Sequence, residues 1–144
     1  MQGFPHIYQV TASSESQGSV AVSSSSLPTL DTQPPPEFGG PEGHWSPETL
    51  LAAAVADCFI LSFRAIARAS RFEWLALECA AEGVLDRVDR VTQFTQFNLK
   101  VVLKVSADAK LDMAHRLLEK AEHACLITNS LKSELSLDIE IKTE

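Results

Sequence analysis

Between Leu50 and Leu61 the chain carries one charge, Asp57, within its most apolar stretch, the 14 residues Leu50 to Phe63. The residues just before it read as a helix start. In Ser46-Pro47-Glu48-Thr49 the serine can cap, proline suits the first helical position, and Glu48 favours the positive end of a helix. The helix predicted from there runs to about Ser70. Apolar on nearly every side, such a helix is buried all round. A chain of 144 residues has trouble covering it completely, which implies that a second subunit helps. The apolar stretch itself is too short to span a bilayer as a helix.

The remaining elements follow from periodicity. Ile7 to Ala12 is β-prone, and Ser19 to Ser23 alternates around Val20 and Val22, with serines and Gly18 supplying the turn between them. Pro34-Pro35-Pro36, Gly39-Gly40-Pro41 and Gly43 mark a loop. After the helix, Leu75, Leu77, Cys79 and Ala81 share one strand face, and Phe97, Leu99, Val101, Leu103 and Val105 share another. The polar segment Asp86 to Arg90 joins them as an antiparallel hairpin. Leu111, Ala114, Leu117, Leu118 and Ala121 follow helical spacing in a second helix ending near Cys125. Leu135, Leu137, Ile139 and Ile141 alternate in a last strand. Strands segregated from two helices in this order make an α+β domain. With no dividing linker and no repeat, a single domain over residues 1–144 is expected.

Charge narrows the partners. Residues 1–63 hold six acids and no Lys or Arg, whereas the remainder has 13 acids against 12 bases, for a net charge of -7. An acidic chain without a basic patch is a poor candidate for nucleic acid or an anionic membrane. Met1-Gln2-Gly3-Phe4-Pro5 lacks the charged start and apolar run of a signal peptide, so a cytoplasmic protein is expected. Three cysteines in that compartment would not normally form structural disulfides, and an odd number leaves one thiol unpaired.

The residues most able to carry chemistry are the cysteines. Taken singly, Cys58 in mid-helix fits a small apolar residue filling core space, and Cys79 on an inward strand face fits it better still. Cys125 heads Ala124-Cys125-Leu126-Ile127-Thr128-Asn129-Ser130, where small polar residues suggest a turn that leaves a thiol accessible, with a packing role about as compatible. Glu48 has an ordinary role as an acid in a first helical turn. It stands ten residues from Cys58, about 15 Å along a straight helix, so the two meet only between antiparallel copies. His115 and His123 lie near Cys125, yet no HxxxH or CxxC spacing supports a metal, and none is expected. Nothing resembles a phosphate loop, a nucleophile elbow or a dinucleotide fingerprint.

The segment Ser46 to Phe59 resembles the central-helix motif of the OsmC/Ohr family, [NS]-P-E-x-L-x-A-A-x-x-A-x-C-F, and Cys125 to Leu131 is similar to its second signature, a cysteine followed by a small polar pair and leucine. The resemblance implies antiparallel sheets wrapped around two long central helices in an intertwined homodimer. It also implies thiol peroxidase activity on organic hydroperoxides, with Cys58 as the peroxidatic thiolate, Cys125 as the resolving thiol and Glu48 supplied by the opposite subunit. No bound cofactor is implied; an external dithiol, often a lipoyl group, is the reductant. His44 and Phe59 are the expected substrate-binding residues.

In one respect the chain departs from the family. Active members hold the thiolate and the peroxide with an arginine from the N-terminal half, and here no Arg or Lys precedes Arg64. Arg64 points about 240° away from Cys58 around the helix, and Arg68 lies about 15 Å along it. A basic residue from the partner's later half or His44 is left to substitute. Without a cation a buried thiol has its pKa raised, so the alternative is a ligand-binding or redox-sensing protein on the same fold.

Overall fold

In the computed structural model, which describes residues 1–144, the alternating segments of the C-terminal two thirds pair as one three-stranded sheet. It belongs to the larger of two units, Met1–Leu50 and Leu51–Glu144.

The smaller unit is an antiparallel meander of β1 (Thr11–Ser13), β2 (Val20–Ser23) and β3 (Leu30–Thr32). The strand expected from Ile7 is confined to its last residues, and β3 was not foreseen because its three residues are too few to display alternation. The proline- and glycine-rich loop folds through a short 3-10 turn at Pro36–Phe38. Gly40 is needed there, since a Cβ would fall 1.8 Å from the Pro34 carbonyl oxygen. Gln33 N–H then donates to the Trp45 carbonyl at 2.9 Å, and the chain enters α1 (Pro47–Ala69). Ser46 caps that helix as expected. Its hydroxyl accepts from Thr49 N–H at 3.2 Å, and Thr49 Oγ1 accepts from Ser46 N–H at 2.9 Å. This is a reciprocal capping box with threonine in the place of the usual Glu or Gln. Within residues 1–50 only Thr32 and Ser46 are buried.

In the larger unit β4 (Ala76–Val88) and β5 (Val91–Val105) form the expected antiparallel hairpin. Both strands run further than the hydrophobic alternation suggested, and the connection shrinks to Asp89-Arg90, with φ of 50° and 69°. Two successive positive φ values are what a tight two-residue hairpin turn requires. One extra residue in β5 shifts the register between Val84↔Gln96 and Leu85↔Phe94. That bulge brings Phe94 onto the face of Phe97, where the rings stack at 5.1 Å. Leu75, expected on the inner face, precedes the strand and is exposed.

The last strand corrects the antiparallel expectation. β6 (Glu134–Thr143) pairs parallel to β5, from Gln96↔Glu134 to Val105↔Thr143. Between them the chain passes through α2 (Leu111–Ala124) and the one-turn α3 (Leu126–Asn129), and such a crossover returns the chain in the direction it left. The inner face of β5 (Phe97, Leu99, Val101, Leu103, Val105) joins Val55, Phe59, Phe63 and Ala67 of α1 and Ala114, Leu117, Leu118 and Ala121 of α2 in one core.

The expectation that α1 is buried all round does not hold within one chain. Only the i, i+4 stripe Val55, Phe59, Phe63 and Ala67 is enclosed, and Leu61 is 49% exposed. The helix also outruns the apolar stretch. At 23 residues it is long and apolar enough, by length and composition alone, to cross a membrane, although its Phe-rich stripe is taken up by the core.

Gly83 sits on the inner face of β4 because a Cβ there would approach the Phe97 ring to 2.7 Å and the Phe94 ring to 3.0 Å. Phe97 is fully buried and has nowhere to retreat. Gly83→Ala is therefore expected to cost about 1–3 kcal/mol through overpacking, measured as a lower urea midpoint at unchanged slope.

Candidate active site

Helical spacing places Ala54, Cys58, Leu61, Ser62 and Ala65 along one stripe of α1, adjacent to the stripe that fills the core. The two alanines leave room, and Leu126 and Ile127 of α3 close the other side. The result is a cavity of about 470 Å³ with a predominantly apolar lining, to which Asp57 also contributes. No Lys, Arg or His is among its walls.

Cys125 reaches this place through local hydrogen bonding. It ends α2 and caps α3, and its carbonyl accepts from Asn129 N–H at 3.0 Å and from the buried Thr128 hydroxyl at 3.1 Å. Ser130 Oγ donates to the Leu126 carbonyl at 2.9 Å, and Asn129 Nδ2 donates to the His123 carbonyl at 3.2 Å. The small polar residues after Cys125 thus build a one-turn helix, and the thiol is 1% exposed. The reading of an accessible turn is corrected by that burial.

The Cys58 thiol is half-buried, and the Ser62 Oγ lies 3.9 Å from its Sγ. Its pKa is raised above the ordinary cysteine value, first by burial. The Ile127 amide opposes that by donating to the sulfur, Cys125 adds to it by hydrogen bond and charge, and Ser62 opposes it again. Cys79, on the inner face of β4, is pushed up to about 11, mainly by burial and further by the charge Cys125 would carry. It is a protonated packing residue, as its strand position suggested.

The other expected site residues are not among the walls of this cavity. Phe59 is fully enclosed in the core and is not among the cavity walls, because one step along a helix turns a side chain about 100° from Cys58. Glu48 and His44 belong to the smaller unit. Glu48 Oε1 is buried with no hydrogen-bond partner. His44 is exposed, and its Nδ1 donates to the Glu42 carbonyl at 3.0 Å. Sequence reasoning missed Ser62 and Ile127. Ser62 was within reach of helical spacing from Cys58, whereas a backbone amide leaves no mark in the residue types.

Comparison with known proteins decides the family. A family model described as OsmC-like protein matches residues 39–140, which include α1, the whole hairpin, α2 and α3. The chain belongs to the OsmC-like family. It is similar to the peroxiredoxin OsmC of Escherichia coli (30% identical over 107 residues, 74% of this chain and 73% of that one). It is also similar to the uncharacterized protein YmaD of Bacillus subtilis (28% identical over 109 residues, 74% and 73%). Among solved structures, an OsmC-like protein of unknown function from Vibrio cholerae superposes with a TM-score of 0.83 at 19% identity, covering 94% of this chain and 99% of the other. An organic hydroperoxide resistance protein OsmC from Legionella pneumophila superposes at 0.70 with 23% identity, covering 97% and 99%. These two likenesses show the OsmC fold.

Burial orders the thiols of this OsmC-like chain. Iodoacetamide on the native protein at pH 8 is expected to label Cys58 ahead of Cys79 and Cys125, read by peptide mass spectrometry. Because the Cys58 pKa is raised, its labelling rate is expected to keep climbing with pH through pH 9 rather than levelling off below it.

Proposed function

We propose that this protein is a cysteine-based peroxidase for organic hydroperoxides, turning over through Cys58 and Cys125. The observation that carries the reading is that Cys58 lines a largely apolar cavity and Cys125 caps the one-turn helix whose Leu126 and Ile127 form its other wall. The name of the E. coli relative, a peroxiredoxin, is in keeping with it.

The chemistry balances with the residues present. The Cys58 thiolate attacks the terminal oxygen of the hydroperoxide, the S–O bond forms as the O–O bond breaks, and the departing alkoxide takes a proton and leaves as the alcohol. The resulting sulfenic acid condenses with the Cys125 thiol, releasing water and leaving a disulfide. An external dithiol, such as a lipoyl group, then exchanges with that disulfide and restores both thiols. Walls of alanine, leucine and isoleucine favour an alkyl chain over a small polar peroxide. Burial of Cys125 keeps its thiol away from solvent oxidants while leaving it beside Cys58.

The working unit in this reading is a homodimer. One chain leaves a face of α1 uncovered, and the smaller unit has almost no buried residues of its own. Apolar surface of that kind is ordinarily covered by a partner. The opposite subunit would supply Glu48, with His44 as the candidate base, to complete the site.

A specific observation favours the second reading, a ligand-binding or redox-sensing protein. The Cys58 pKa is raised and no cation lines the cavity, so thiolate is scarce at neutral pH and turnover is slow.

With cumene hydroperoxide and dihydrolipoamide, Cys58→Ser is expected to abolish peroxide consumption, and Cys125→Ser to allow one equivalent and then stop. Wild-type turnover in both variants would sink the peroxidase reading. Stoichiometric oxidation of the wild type without turnover would select the sensor. For the dimer, Leu61→Glu is expected to shift the mass found by sedimentation from two chains to one; an unchanged mass removes α1 from the interface.

A further inference from the structure

Within its own chain, Cys58 has no positive charge among the walls of its cavity. The titratable groups that face it are Asp57, next to it on α1, and Cys125 at the end of α2. Both would repel a thiolate. Burial also raises the Cys58 pKa, so any group of the same chain that holds the ionised sulfur must do so by hydrogen bonding.

Two donors are positioned for that. Ser62 follows Cys58 by one helical turn on the same face, and its Oγ stands 3.9 Å from Sγ, within reach for a sulfur acceptor. A serine inside a helix usually returns its hydroxyl to the carbonyl four residues back. The Ser62 hydroxyl is instead paired with the sulfur. Across the cavity stands Ile127 of α3, whose backbone N–H lowers the Cys58 pKa. The two come from different elements, α1 and α3, and meet Cys58 from different directions.

We propose that Ser62 is a positioning residue for Cys58, its hydroxyl acting with the Ile127 amide to hold the ionised sulfur in place of a cation. The inference rests on the peroxidase reading for its use, since only a thiolate attacks a peroxide oxygen, but the ionisation itself is measured without any peroxide. A hydroxyl stabilises a thiolate less than a guanidinium does, so the arrangement yields a moderate nucleophile rather than a strongly activated one. Holding the sulfur from two sides also fixes the direction of its remaining lone pairs.

The test compares the pH dependence of Cys58 alkylation by iodoacetamide in the full chain carrying wild-type Ser62, Ser62→Ala or Ser62→Thr, with the Cys58 peptide followed by mass spectrometry. Ser62→Ala is expected to move the profile to higher pH and to slow alkylation at pH 8 by about three- to tenfold. Ser62→Thr keeps the hydroxyl and is expected to stay within about twofold of wild type. A merely structural role would not move the profile and be rescued by threonine. An unmoved profile in Ser62→Ala, or equal shifts in both variants, overturns the proposal even if peroxide is still consumed. A shifted and rescued profile in a protein that consumes no peroxide upholds the proposal and sinks the peroxidase reading alone.

Discussion

Apolar surface on α1 exceeds what one copy of the chain can enclose, and the rest of the structure is arranged around that excess. The stripe Val55, Phe59, Phe63 and Ala67 satisfies one side by entering the core with β5 and α2. Truncating a residue such as Phe59 would remove about 3–5 kcal/mol from the fold. The neighbouring stripe, with Cys58, Leu61 and Ser62, is left half open, and the cavity forms there. Stability and reactivity are thus divided between adjacent faces of one helix, about 100° apart. The face that Cys58 occupies keeps it out of the core and on the cavity wall.

The electrostatics of that open face do not favour an ionised thiol. Burial raises the Cys58 pKa, and its charged neighbours are acids or thiols. What opposes them are neutral donors, one from a side chain and one from the backbone. Glu48 Oε1, buried and without a partner, is a comparable case in the smaller unit. A carboxylate in that condition is costly unless a donor reaches it.

Much of this was legible in the residues. Ser46-Pro47-Glu48-Thr49 located the start of α1, and the alternation of Phe97 to Val105 located the inner face of β5, because capping and burial act through residue type. Cys58 and Cys125 were paired by family resemblance, although periodicity alone assigned Cys58 to the core. What remained hidden depended on backbone geometry. The parallel direction of β6 is a property of the crossover, and no alternation pattern distinguishes it from an antiparallel strand. The bulge opposite Val84 and Leu85 turns Phe94 inward through one extra residue that looks like any other. The one-turn helix after Cys125 uses the same small polar residues as a turn would, and its hydrogen bonds alone tell the two apart.

The crossover has one more consequence. Cys58 lies on α1 and Cys125 on the return path between β5 and β6, 67 positions apart (58 to 125). A bond between them would close a long loop across the fold. In the chain-entropy account, such a link restrains the unfolded chain by about 4 kcal/mol, a large fraction of the net stability of an ordinary domain. Oxidation at this site would therefore be felt by the whole larger unit as a change in its resistance to unfolding, so that the reduced and oxidised proteins would differ in durability as well as in chemistry.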